Sequence, residues 1–148
     1  MERQFIYLLT ISLYLSGVTS LMAQEPVEDL LAQAQRLSES GKLSEAHAIL
    51  VKAVETDPQS SSAHTRLGGV QLLQRNYQSG IKHFQQAIML DGTNADAFVG
   101  LAVAYLHLGR YALAREAFKE AQQKGPSKQQ DIDKILAWLD QRSAKDGH

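Results

Sequence analysis

No cysteine occurs among the 148 residues. That absence excludes disulfides, thiol chemistry, haem attachment through Cys and a lipid anchor on a processed Cys. An excess of one charge is missing too: 15 Lys and Arg stand against 16 Asp and Glu, a formal net charge of -1. Neither nucleic acid nor an acidic membrane surface gains an electrostatic hold on such a chain. Catalysis needs a nucleophile, a base and an orienting group brought together, and no such set is visible. The serines cluster at turns and helix starts, where capping accounts for them. His47, His64, His83, His107 and His148 never fall four apart and form no His-Glu-x-x-His, so no helical zinc motif is present. His64 reads as a semi-buried packing residue, and His107 as a helix-end residue or a rim contact to a ligand. No strand pattern exists for a phosphate loop to follow. The sequence therefore predicts a non-enzyme with no metal and no cofactor.

The N-terminus is a separate piece. Arg3 precedes an apolar stretch, Phe5 to Leu15, then Ser16-Gly17-Val18 and a small, polar exit from Thr19 to Ala23. That order matches a secretory signal peptide over residues 1–23, cut after Ala23, with Ser20 as a weaker site. The rival is an uncleaved anchor, since residues 5–22 approach the length of a membrane span. Either reading places the rest outside the cytoplasm: periplasmic or secreted in the first, tethered at the membrane in the second.

What the remainder does contain is a period of 34 residues. Phe98, Leu101, Ala102 and Tyr105 recur at the spacing of one helix face; Gly109 permits a turn; Tyr111, Ala114, Phe118 and Ala121 continue before Gly125-Pro126. The same frame lies 34 residues earlier at His64, Leu67, Gly68, Tyr77, Gly80, Phe84 and Ala87. One step further back it holds Leu30, Gln33, Ala34, Leu37, Gly41, Ala46, Leu50, Ala53 and Pro58.

Helices are predicted from Val27 to Ser38, Leu43 to Glu55, Ser60 or Ser61 onward, Tyr77 to Leu90, after an Asn94 cap, and to about Lys124. Ser40-Gly41 and Asn76 are read as turns. Gly68 and Gly69 each cost about 1 kcal/mol of helix propensity against Ala, a cost explained by close approach of a neighbouring helix. The helix from Ala95 is apolar on two sides, so it is either sandwiched or offers apolar surface to a ligand. Ser127, with Gln130 three residues on, opens a last helix with Ile132, Ile135, Leu136 and Leu139 inward and Trp138 near the edge. Trp138 has two readings, an anchor of that helix or an exposed aromatic for association. Residues 144–148 read as a flexible tail.

This frame resembles the tetratricopeptide repeat. Three copies are placed at 27–60, 61–94 and 95–127, with a capping helix at 128–142, in a domain spanning 24–143. Copy three carries the pattern most fully, whereas copy two departs from it at His64, Gln71, Arg75, Gly80 and Gly92. The resemblance implies an all-α fold, a right-handed superhelix of helical hairpins with about seven helices. It also implies a concave groove, lined by the first helix of each repeat, for a peptide or partner helix.

Groove positions carried over from the family are Leu31, Gln35, Thr65, Gly69, Leu72, Leu73, Val99, Val103, Leu106 and His107. Some family members clamp a partner's terminal carboxylate with Lys or Arg and Asn. Those places hold Leu31, Thr65 and Val99, and Gln35, Gly69 and Val103, so the clamp is absent; Arg66 sits one place off. An apolar strip of Leu72, Leu73, Val99, Val103 and Leu106 suits an apolar or amphipathic segment. Packing of Val103 and Leu106 against the last helix is the competing reading. The expected function is a non-catalytic protein-interaction scaffold on the extracytoplasmic side. The alternative is a membrane-tethered, self-oligomerising domain, and a homodimer stays open if the last helix detaches.

Overall fold

A computed structural model describes residues 26–146, and side-chain burial is defined to Arg142. The signal or anchor segment, and the end of the tail with His148, lie outside the described residues. Seven helices and no strand occur among the described residues: α1 (Val27–Glu39), α2 (Leu43–Thr56), α3 (Ser61–Leu73), α4 (Tyr77–Leu90), α5 (Ala95–His107), α6 (Tyr111–Gln123) and α7 (Gln129–Asp146). Each packs on the next, making three antiparallel hairpins and a closing helix. The fold is an all-α helical-hairpin solenoid.

Local chemistry sets the helix ends. Glu28 and Asp29 fall in the first turn of α1, where negative charge offsets the helix dipole. The Ser60 hydroxyl accepts from the Ala63 N–H at 3.2 Å, and the Asn94 side chain accepts from the Ala97 N–H at 3.0 Å. Both satisfy donors that a helix start leaves free. Between α4 and α5 the Asp91 carboxylate accepts from the Thr93 hydroxyl and N–H, at 2.6 and 2.9 Å, and these bonds hold it below the usual carboxylate range.

The hairpin turns repeat the sequence period. Gly41, Arg75 and Gly109 all take left-handed backbone, with φ of 77°, 64° and 68°. Asn76, the expected turn residue, has φ of -84° and begins the next helix instead. Arg75 occupies the position where the flanking repeats use glycine.

The apolar core falls into two clusters. Leu30, Leu31, Ala34, Ala46, Leu50, Ala53, Ala63, Leu67 and Val70 join α1, α2 and α3. Ile81, Phe84, Leu101, Phe118, Ile132, Leu136 and Leu139 belong to the second cluster, which spans α4 to α7. Full burial of Phe84 and Phe118 stabilises the fold by about 1.5–3 kcal/mol each.

The two clusters divide between α3 and α4, where glycine brings the backbones together. A Cβ on Gly68 would lie 3.0 Å from the Phe84 ring, and one on Gly80 would lie 3.1 Å from the Gly68 carbonyl. Gly69 differs: nothing lies near the place its Cβ would take, so helix approach does not explain it. At Gly100 a Cβ would run into the Phe84 ring, a constraint with no mark in the periodicity.

The closing helix starts at Gln129, two residues after the expected Ser127 cap, and continues to Asp146. It covers α6 with Ile132, Leu136 and Leu139. Trp138 remains 46% exposed; it meets Tyr111 edge-on at 5.9 Å, and the Arg142 guanidinium lies over both rings.

Candidate functional site

Three helices shape an apolar depression. It holds about 330 Å³ and is lined from α1, α2 and α3. Ala34, Leu50 and Val70, all buried, form its floor. Leu73 stands over it with 59% of its surface exposed, and Gly69 leaves the wall bare where any other residue would place a side chain.

Along the rim, Gln35 links opposite charges. Its amide nitrogen donates to the Glu39 carboxylate at 2.6 Å, while its oxygen accepts from the Arg66 guanidinium at 2.6 Å. Ser38 completes the polar edge. An apolar floor behind a polar rim holds an apolar side chain and orients the backbone that carries it.

A second depression, about 350 Å³, continues toward α5. Its walls are polar: Gln35, Ser62, Thr65, Arg66, Asn94 and Asp96. Here the Asn94 amide donates to the Ser61 and Thr65 hydroxyls at 2.7 and 2.9 Å, and Ser61 in turn donates to the Ala87 carbonyl at 3.0 Å. The capping residue of α5 therefore also fixes α5 against α3.

The sequence-predicted groove residues separate into two groups. Gln35, Gly69 and Leu73 meet at the first depression, and Gln35 and Thr65 at the second. Leu31 does not line a groove: it is 3% exposed and packs in the first core cluster. Leu72, Val99, Val103 and Leu106 pack against the second cluster, so the two-sided apolarity of α5 belongs to a helix held between α3, α4 and α6. His107 is exposed and stacks on Tyr77, with centroids 4.8 Å apart and planes 8° apart.

Three residues escaped the groove prediction. Arg66 lies one place off the family position, and Leu50 sits on a second helix of a repeat, whereas the resemblance places the groove on the first helices. Glu39 is the last residue of α1. Only its spacing of four from Gln35 hinted at the bond between them.

No group of three or more His, Cys, Asp or Glu placed to hold a metal occurs among the described residues. No described helix is long and apolar enough to cross a membrane.

Comparison with known proteins decides the family. The tetratricopeptide repeat model matches twice, over residues 31–95 and 74–128. The chain belongs to the tetratricopeptide repeat family. Among curated relatives, the peroxisomal targeting signal receptor of Komagataella phaffii is 40% identical over 75 residues, covering 50% of this chain and 13% of the receptor. Superkiller protein 3 of Schizosaccharomyces pombe is 40% identical over 58 residues, 39% of this chain and 4% of that protein. A putative cellulose synthase operon protein C of Escherichia coli O157:H7 is 32% identical over 100 residues, 68% of this chain and 8% of that protein. The chain therefore spans a small part of the length of these relatives. Among solved structures, the Yersinia enterocolitica type III secretion chaperone SycD, in complex with a peptide of the translocator YopD, aligns with a TM-score of 0.76 at 19% identity. That alignment covers 82% of this chain and 98% of SycD. The TPR2B domain of yeast Sti1, in a complex with pHsp70, gives 0.74 at 16% identity over 78% of this chain and 97% of that domain. At these identities the structural likeness concerns the fold.

Proposed function

We propose that this chain is a non-catalytic protein-interaction scaffold that holds an apolar or amphipathic segment of a partner protein between its first two repeats. The observation that carries this reading is the depression under Leu73. A repeat domain that buries Leu30, Leu50 and Phe84 almost completely leaves Leu73 mostly exposed over an apolar floor, with Gly69 beside it. The absent clamp and the Arg66–Gln35 bond direct recognition toward side chains rather than a terminal carboxylate. SycD in complex with a translocator peptide and the Sti1 domain in complex with pHsp70 share the fold, which supports a protein segment as the class of ligand.

The site of action in this proposal is extracytoplasmic, on the signal-like stretch from Phe5 to Val18. An uncleaved tether at residues 5–22 is the alternative topology. N-terminal sequencing of the protein recovered from each fraction of its native cells tests the point. A start at Gln24 supports export with cleavage, a retained Met1 in the membrane fraction supports the tether, and a retained Met1 in the cytosol overturns both.

Binding is tested by isothermal titration of the full chain with partner-derived peptides once a partner is cross-linked at Leu73. Saturable binding that Leu73→Asp weakens at least tenfold supports the groove. Binding indifferent to that change places the partner elsewhere.

A further inference from the structure

We propose that the second hairpin is a pH-sensitive latch, closed by a hydrogen bond between the rings of His64 and His83 and opened when both rings are protonated. His64 lies on α3 and is 7% exposed; His83, half-buried, faces it from α4. Their Nδ1 atoms are 3.1 Å apart. The ring centroids are 5.4 Å apart, which is that gap plus one ring radius at each end. The nitrogens therefore meet head-on along the line joining the rings. Such an approach suits one shared proton; two lone pairs converging on a metal would meet at an angle instead.

The proton positions follow from the next contact. His64 Nε2 lies 3.2 Å from the Pro58 carbonyl, which only accepts, so Nε2 carries hydrogen. In the neutral ring Nδ1 is then the acceptor, and His83 donates to it from its own Nδ1. A first proton, on the other nitrogen of His83, leaves this bond in place; with both rings charged, two N–H groups face each other across 3.1 Å and the bond is lost.

The two apolar clusters divide here; the backbones touch through Gly68 and Gly80, and the Phe84 ring of α4 lies against Gly68. Gln71, also on α3, is buried with its side-chain oxygen unpaired.

Burial, then His64, then His47 from α2 hold the His83 ring below the ordinary value of 6.5 for histidine. The other charged groups on the helices packed against the pair are exposed. They are Lys82 on α4, Arg66 on α3, Glu45, Lys52 and Glu55 on α2, and Asp96 and His107 on α5; from α1, Glu28, Asp29, Arg36 and Glu39 are exposed as well. None of the groups resolved as acting on His83 is a carboxylate that would stabilise its charge. Because the folded chain prefers the neutral ring, unfolding takes up protons. Stability is then full above 6.5, the unfolded value, and falls as pH drops through it toward the lowered folded value.

The depression under Leu73 shares α3 with the latch, so binding there would weaken in acid as well. That corollary rests on the groove reading, and the test therefore reads stability and not binding. Thermal unfolding of the full chain is followed from pH 8 to about 5 for the parent, His83→Gln and His107→Gln. Gln donates to His64 but does not titrate; His107 is an exposed control. Expected is a fall in melting temperature with acid that His83→Gln reduces by more than half and His107→Gln leaves intact. Equal falls in parent and His83→Gln overturn the latch. Should His83→Gln not fold, ring-nitrogen NMR of the parent decides. A proton on His83 Nδ1 and His64 Nε2 at pH 8, with coupled titration, supports the proposal. Independent titration, with His83 at its ordinary value, overturns it.

Discussion

Gly68 and Gly80 face each other across the second hairpin so closely that a Cβ on Gly80 would come within 3.1 Å of the Gly68 carbonyl. Backbone cannot yield as a flexible side chain does. Gly80→Ala is expected to destabilise the domain by about 1–3 kcal/mol, the usual cost of overpacking. Gly69→Ala, one residue from Gly68 but opening on free space, is expected to stabilise it by about 0.5–1 kcal/mol through helix propensity. Urea unfolding of the two variants checks the opposite signs.

Arg75 offers a second site where the direction is fixed by backbone. Its φ of 64° is the conformation of Gly41 and Gly109 in the neighbouring turns. A left-handed non-glycine residue costs about 1–2 kcal/mol, partly offset by the greater freedom glycine has when unfolded. Arg75→Gly should therefore raise the urea midpoint, by about 1 kcal/mol or less in stability. Gly109→Ala should lower it.

Those two sites show what the sequence could and could not reveal. The period of 34, the helix faces and the stops at Pro58 and Pro126 are local signals, and the helices lie where they predicted. Arg75 breaks the glycine pattern, so the turn expected at Asn76 falls one residue late. Gly100 is small because of Phe84, which lies 16 residues away in sequence, and no local pattern records that. The groove suffered most. Leu31 and Leu73 are both apolar residues on first helices of repeats, yet one is 3% and the other 59% exposed. Only the neighbouring helices distinguish a core leucine from one left over a depression. The His64–His83 contact spans 19 residues and two helices, beyond any motif spacing.

Gly100 and Phe84 form a coupled pair. Gly100→Ala should destabilise by about 1–3 kcal/mol through overpacking. Phe84→Leu on its own leaves space beside Gly100 and also costs stability. Combined, the two should cost less than their sum, a coupling that a double-mutant cycle measures directly.

On α7 the exposed Trp138 and the buried Leu136 should respond differently. Leu136 is 9% exposed in the second cluster, and Leu136→Ala should cost about 2–4 kcal/mol. Trp138→Ala loses an edge contact with Tyr111 and the Arg142 guanidinium, and should cost about 1 kcal/mol. A larger loss for Trp138 would make it, and not Leu136, the anchor of the closing helix.

The depression under Leu73 is proposed to receive a segment of another protein. The most direct measurement is selection of short peptides from a random display library on the full chain, followed by affinity measurements with Leu73→Asp and Met89→Asp. Met89 is 73% exposed on α4 and does not line the depression, so it controls for a charge placed on exposed apolar surface. Apolar-rich peptides are expected, with affinity that falls at least tenfold in Leu73→Asp and is unchanged in Met89→Asp. Peptides that bind both variants as tightly as the parent would contradict the proposal.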